Sequence, residues 1–403
     1  MTGKNDGVNT PSPSPTHRPL RVVVAPDSFK GTFDARRVAE LIGRGVTEAA
    51  PGSDVTLTPM ADGGEGTAAC FTGTPVTLPT VTAAGRLTQA TYQLDTATRT
   101  AFIDVAAASG LPAVAGTPVP LTGDTFGTGV LIADALSRGV GRIVLALGGS
   151  ATIDAGTGIL VALGARLLDS RGVPVPPGGR GLAAIHEIDT AHLNPALAGI
   201  ELVLLTDVTS PATGPQGAAA VFGPQKGANP DDVRVLEAGL SHACEVFGAD
   251  PLVPGMGAAG GVPIALTWLG SLLGAGATIL PGAPVVADSL GLPELCRTAD
   301  LLITGEGSLD SQSLSGKVVG HLVELFLSHA RSPETGATQA APAFGVVSGR
   351  AQDGIKEELA ARLEPAATAI VEQLPQPSDS DESLVAAGRR LTERYLKIST
   401  HQG

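Results

Sequence analysis

The tightest constraint on this chain is a β/α rhythm that opens its folded part, breaks off, and returns near the end. An apolar strand from Arg21 to Ala25 runs into Pro26-Asp27-Ser28. A helical stretch, Asp34 to Ala49, comes next, with Val38, Leu41, Ile42, Gly45 and Val46 on one face and Asp34 placed to cap it. A second strand, Asp54 to Met60, completes a β-α-β unit, which implies parallel pairing through a right-handed crossover. From Asp300 the rhythm resumes: strands at 300–303, 343–347 and 367–371 alternate with helices at 315–330, 353–362 and 381–396. Two parallel strands at one end and three at the other predict one doubly wound sheet built from both chain ends.

The middle of the chain reads differently. Residues 75–105 alternate in short strands with Gly/Thr turns, the pattern of an antiparallel segment. A helix (128–138), a strand (142–147), a helix (155–163) and a strand (201–206) continue it, and helices near 231–247 and 260–273 close it. At 403 residues the chain has room for two domains. We therefore expect an α/β protein: a discontinuous Rossmann/flavodoxin-like domain at 19–75 and 285–400, with a second α/β domain, 76–284, inserted into it. Residues 1–18, rich in Pro, Ser, Thr and Asn, read as a disordered extension without the apolar core of a secretory signal. The uncharged stretch Pro263–Leu280 is broken by Gly270, Gly274 and Gly276, so it reads as a buried helix and strand rather than a membrane span.

A formal net charge of −13 argues against the clustered Lys/Arg surface that nucleic acid or anionic membrane requires. An acidic protein that binds anions must gather positive potential locally. Cys70, Cys244 and Cys296 stand in no CxxC spacing, which argues against disulfides or structural zinc and for a cytoplasmic protein.

Ligands of open α/β sheets bind beyond the carboxyl ends of the strands. The residues just past each expected strand are therefore informative: Asp27, Ser28 and Lys30; Asp62-Gly63-Gly64-Glu65-Gly66; Gly148-Gly149-Ser150; Asp207; Gly305-Glu306 through Asp310; and Ser348-Gly349-Arg350. Three of the few lysines, Lys30, Lys226 and Lys317, adjoin a glycine. Such a lysine reaches a phosphate while neighbouring backbone N–H groups also point at it. Any one acid among glycines is by default a turn former or a helix cap. So many at one kind of strand end point instead to phosphoryl transfer, which needs a metal, cations and a carboxylate that takes a hydroxyl proton. A GxxxxGK[ST] loop, the protein-kinase signatures, a GxSxG elbow and metal-spaced histidines are absent. The one GxGxxG, Gly255 to Gly260, comes after two prolines and no convincing strand, and reads as a tight helix start.

These segments resemble the bacterial glycerate kinases of the class without a P-loop. The resemblance lies in APDSFKGTFDA (25–35), PMADGGEGT (59–67), AAASGL (106–111), GTGVLIADAL (127–136), LGGSATIDAGTG (147–158), TDVTSPATGPQGAAAVFGPQKGA (206–228), GMGAAGG (255–261) and ADLLITGEGSLDSQSLSGK (299–317). It implies ATP- and Mg²⁺-dependent phosphorylation of D-glycerate at its 2-hydroxyl. Ile153-Asp154-Ala155 stands where the family usually has Asn-Asp-Gly, Phe126 where Tyr is common, and Val130 where Glu is common.

Roles can be expected for these residues. Asp207, Asp310, Lys30 and Lys317 are catalytic, with Asp207 and Asp310 also the metal candidates. Asp27, Ser28, Asp62, Glu65 and Arg350 bind the substrate. Gly148, Gly149, Ser150, Lys226, Gly305 and Glu306 bind the nucleotide. The partners are ATP and glycerate, neither nucleic acid nor membrane, and the protein is a monomer or homodimer. A glycerate 3-kinase, a kinase of another small hydroxy acid and a non-catalytic nucleotide-binding module stay open as alternatives.

Overall fold

The computed structural model describes residues 18–329, 342–364, 366–375 and 380–402. The expected N-terminal extension lies outside them except for Arg18, as do Lys4 and the last residue of the helix expected at 315–330. The chain opens with β1 (Arg21–Val24), α1 (Ala35–Ala49) and β2 (Asp54–Leu57). Next come β3 (Thr74–Val81), β4 (Leu87–Asp95), β5 (Thr100–Asp104), α2 (Val105–Ser109), α3 (Phe126–Ser137), β6 (Arg142–Ala146) and α4 (Thr157–Ala162). A small hairpin, β7 (Arg166–Leu168) and β8 (Glu187–Asp189), precedes β9 (Glu201–Thr206), α5 (Ala218–Phe222), α6 (Pro230–Phe247), α7 (Val262–Leu272) and β10 (Ala277–Pro281). After α8 (Gly282–Ser289) and α9 (Leu292–Thr298) come β11 (Leu301–Leu309), α10 (Val318–His329), β12 (Ala343–Ala351), α11 (Ile355–Leu363), β13 (Thr368–Gln373) and α12 (Asp381–Gln402).

Strands from both chain ends form one five-stranded parallel sheet in the order β2-β1-β11-β12-β13. This is the flavodoxin-like order, and its switch point lies between β1 and β11. The intervening chain forms a six-stranded sheet, β3-β4-β5-β6-β9-β10. Its first two pairings are antiparallel and the rest parallel. The architecture is thus a doubly wound parallel-sheet unit interrupted by a second α/β unit. The stretch 263–280 is a helix and a strand, and no described helix is long and apolar enough to cross a membrane.

Element ends differ from expectation where tertiary pairing decides them. β11 extends to Leu309, because Gly305–Leu309 continues in parallel register with Val347–Ala351 of β12, so Gly305-Glu306 belongs to a strand rather than to a turn. The hairpin β7–β8 and the helices α2, α5, α8 and α9 carry no clear periodic signal, and the sequence does not announce them. The helix expected at 128–138 begins earlier, at Phe126, where the Asp124 carboxylate accepts its N–H at 3.0 Å.

One buried cluster holds the two sheets together. Val23, Leu302 and Phe344 of the first sheet pack in one apolar cluster with Val144, Val203 and Leu205 of the second, with α8, α9 and α10 contributing. Phe71 stacks on Phe102 of β5, with centroids 4.1 Å apart. On the far face of the five-stranded sheet α1 packs against α12 at backbone distance. A Cβ on Gly45 would stand 2.0 Å from the Val385 carbonyl oxygen, and one on Gly388 would stand 2.2 Å from that of Ile42. Gly45→Ala or Gly388→Ala should therefore push the helices apart and cost about 1–3 kcal/mol, the usual range for overpacking. The check is a lowered denaturation midpoint in chemical unfolding; an unchanged midpoint in both variants would show that the helices do not meet there.

Candidate active site

The carboxyl ends of both sheets meet on one cavity of about 870 Å³. The five-stranded sheet supplies Asp27, Ser28 and Lys30 after β1, and Asp62, Gly64 and Glu65 after β2. The six-stranded sheet supplies Gly148, Gly149 and Ser150 after β6, and Asp207 after β9. Lys226, just beyond α5, closes the wall with Ala258 and Ala259 of the glycine-rich turn before α7. That turn therefore borders the cavity, and Gly260 within it lies so close that a Cβ would meet the Thr152 oxygen at 2.1 Å.

Carboxylates crowd this space. Burial and then the neighbouring Asp62 push the Asp27 carboxyl up to about 7, against the pull of the Ser28 N–H and Lys30. Asp207 is raised for the same two reasons, and its own backbone N–H, Lys317 and Lys30 oppose the rise. Asp62 thus lies within electrostatic reach of acids from both sheets. Desolvation works against the Lys30 charge, yet Asp62, Asp27, Asp207 and Glu306 together hold its ammonium above the usual lysine range.

Lys226 is the opposite case. Its side chain is buried, and Nζ donates to Ser150 Oγ at 2.9 Å and to the Thr152 carbonyl at 2.8 Å. Both partners are neutral. Burial lowers its pKa to about 7, with the charge of Asp154 working the other way. An ammonium has three donors, so one remains after these two bonds.

Asp154 itself is fully buried and satisfied. It accepts from Thr125 N and Oγ1 at 2.9 and 2.8 Å, and from Gly156 and Gly158 N–H at 3.2 and 3.0 Å. The apolar Ile153 beside it is buried, and Ala155 adopts φ 54°, a left-handed conformation that favours glycine. These two departures are accommodated by the backbone around Asp154.

Five expected residues stand outside the wall. Glu306 lies close enough to act on Asp27 and Lys30; burial lifts its carboxyl to about 7, against a Ser313 hydrogen bond and Lys317. Lys317 acts electrostatically on Asp207 and Glu306 without lining the cavity. Asp310 Oδ1 accepts the Gln312 and Ser313 N–H groups at 2.9 and 3.1 Å, so this carboxylate shapes its own turn. Gly305 continues β11, and Arg350 is exposed on β12 beside Ser308.

Sequence reading missed two contributors. Arg36, in the first turn of α1, lines the cavity and makes no ion pair among the described residues. Asp104 ends β5 and accepts backbone hydrogen bonds from the loop that carries Asp62. A cation one helix start beyond Lys30-Gly31 was a signal for Arg36; Asp104 had none, because its partners lie far away in sequence.

The fold and cavity define a two-sheet α/β protein whose ligand site is shared by both sheets and lined by acids, lysines and glycine turns. Residues 22–400 match the model of the glycerate kinase family. A glycerate kinase from Bacillus subtilis (strain 168) is 40% identical over 314 residues, covering 74% of this chain and 79% of that protein. A glycerate 2-kinase from Escherichia coli (strain K12) is 39% identical over 313 residues, covering 74% and 80%. A crystal structure of a protein provisionally named glycerate kinase 2, from Salmonella typhimurium LT2, superposes with TM-score 0.77 at 34% identity, covering 95% of this chain and 99% of that one. The chain belongs to the glycerate kinase family and is a kinase.

The buried lysine gives a signed pH prediction. Between about 7 and the ordinary lysine value of 10.5, the unfolded chain carries a proton that native Lys226 lacks. Native stability attributable to this group must therefore rise with pH across that window. In thermal melts, wild type should gain on Lys226→Met as pH rises from about 7.5 to about 9.5. A midpoint difference that stays constant would mean that the ammonium is hydrated.

Proposed function

We propose that this protein transfers the γ-phosphoryl group of MgATP to the 2-hydroxyl of D-glycerate, giving 2-phosphoglycerate. The observation that carries the reading is the single cavity on which carboxylates and lysines from both sheets converge. Its volume falls in the usual range of small-molecule sites. The curated relative named a glycerate 2-kinase supports the choice of hydroxyl.

The acids fit Mg²⁺. The charge of Asp62 raises the proton affinity of both Asp27 and Asp207, which is the electrostatics of a site meant for a cation. Among the described residues no three His, Cys, Asp or Glu side chains are arranged to hold a metal unaided. That suits Mg²⁺, which keeps several waters and takes one or two carboxylates plus substrate phosphates. We assign Asp62 and Asp207 as those carboxylates, in preference to Asp310, which does not line the cavity. Held there, Mg²⁺ would neutralise charge developing on the phosphoryl oxygens.

Placement suggests the remaining roles. The free donor of Lys226 serves a phosphate beside the Gly148-Gly149-Ser150 turn. Asp27 accepts the Ser28 N–H on Oδ1 at 2.6 Å, and its other oxygen is available to orient the glycerate hydroxyl and take its proton. Lys30 and Arg36 supply the positive potential that a short carboxylate requires.

Incubating the protein with D-glycerate and MgATP and reading the product by ³¹P NMR tests the reading. We expect 2-phosphoglycerate; 3-phosphoglycerate would overturn the regiochemistry, and no transfer would overturn the substrate. Asp207→Ala and Asp62→Ala should each lower kcat by on the order of a hundredfold or more with the fold retained, as expected for loss of charge stabilisation in the transition state. Near-normal turnover in both would refute the metal assignment.

A further inference from the structure

We infer that Asp104 is a positioning residue for the phosphoryl transfer: from the six-stranded sheet it fixes the Asp62–Ala68 loop, which comes from the other sheet, so that Asp62 and Glu65 face the cavity. The inference deepens the functional reading above and rests on it for the role of Asp62.

Asp104 is the last residue of β5 and is only 9% exposed. Its Oδ2 accepts the Gly66 N–H and its Oδ1 accepts the Ala68 N–H, each at 2.9 Å. No salt bridge to it is found among the described residues. Burying a carboxylate without a cation is costly, so a position that only had to fill space would be better served by a neutral side chain. Two charge-assisted bonds from one planar group to one loop do more than fill space: they fix both the position and the orientation of that loop. The carboxylate does not line the cavity, so it touches no ligand and acts through the loop alone.

The rest of the loop is held from the same sheet. Gly148 N–H donates to the Gly63 carbonyl at 2.9 Å, and Gly63 lies against the backbone of Leu205 and Thr206. Gly282, where β10 leads into α8, approaches so closely that a Cβ there would meet the Asp62 carbonyl oxygen at 2.2 Å. Contacts at Asp62 and Gly63 thus fix the start of the loop, and Asp104 fixes its end. Between the two anchors lies Glu65, and just before it the carboxylate assigned to the metal. A displacement of about 1 Å in such a group costs on the order of a hundredfold in rate.

The test compares wild type, Asp104→Asn and Asp104→Glu with glycerate and MgATP. An asparagine can accept only one of the two N–H groups and turns its own NH₂ towards the other. Asp104→Asn should lower kcat on the order of ten- to a hundredfold and raise the Mg²⁺ concentration needed for half-maximal rate. Asp104→Glu keeps two acceptor oxygens and should recover most of both. A purely structural residue would change the folded fraction and leave the Mg²⁺ dependence where it was; that result, or a normal kcat in Asp104→Asn, overturns the proposal. Amide exchange in the wild type decides the matter should the asparagine variant not fold. Gly66 and Ala68 must be protected like strand residues, and exchange at open-loop rates would also overturn it. Wild type inactive towards glycerate but with both amides protected would instead sink the functional reading and leave the anchor standing.

Discussion

The structure turns on the docking of one loop. Asp62–Ala68 leaves the five-stranded sheet and is received by the six-stranded sheet through the Asp104 carboxylate, the Gly148 N–H and the close backbone approach of Gly63 to Thr206. With that contact made, acids from β1, β2 and β9 stand within electrostatic reach of one another. The shared apolar cluster around Val144, Leu205, Leu302 and Phe344 stabilises the same arrangement from beneath.

Electrostatics in the cavity result from this geometry. A chain of net charge −13 cannot attract anions by its overall field, so it concentrates cations where ligands bind. It does so in two physically different ways. Lys30 is held charged by the acids around it, a point of positive potential inside a negative cluster. Lys226 is buried and held by two neutral oxygens, where desolvation makes its charge costly until an anion arrives. The first arrangement suits a permanent element of the site and the second a group completed by its ligand. Asp310 shows the other use of an acid at a strand end, since a carboxylate among glycines is also a good turn former, and here that use is visible.

Much of the fold could be read from periodicity, because β1, α1, β6, β9, α6 and α12 each carry the apolar pattern of their own burial. Elements without such a pattern were lost: α8 and α9 are short, and β7–β8 is a hairpin of three-residue strands. The same division runs through the site. Asp27, Asp62, Glu65, Asp207 and Lys226 could be picked out, since each stands in a glycine-rich turn or just past a strand end and each lines the cavity. Arg36 could have been found from its place one helix start beyond Lys30-Gly31, whereas Asp104 looked like the polar end of any strand.

What the chain determines locally is which groups emerge at strand ends, for that depends on side-chain alternation and on where glycine lets the backbone turn. Which of those groups meet is not a local property. Gly66 and Ala68 find Asp104 across 38 and 36 residues, and Lys226 finds Ser150 across 76. Only the register of two sheets and the core between them brings such pairs within bonding distance. Lys317 and Arg350 sit beside glycines much as Lys30 does, yet neither lines the cavity: Arg350 stands on β12 in register with Ser308, and Lys317 stands just before α10.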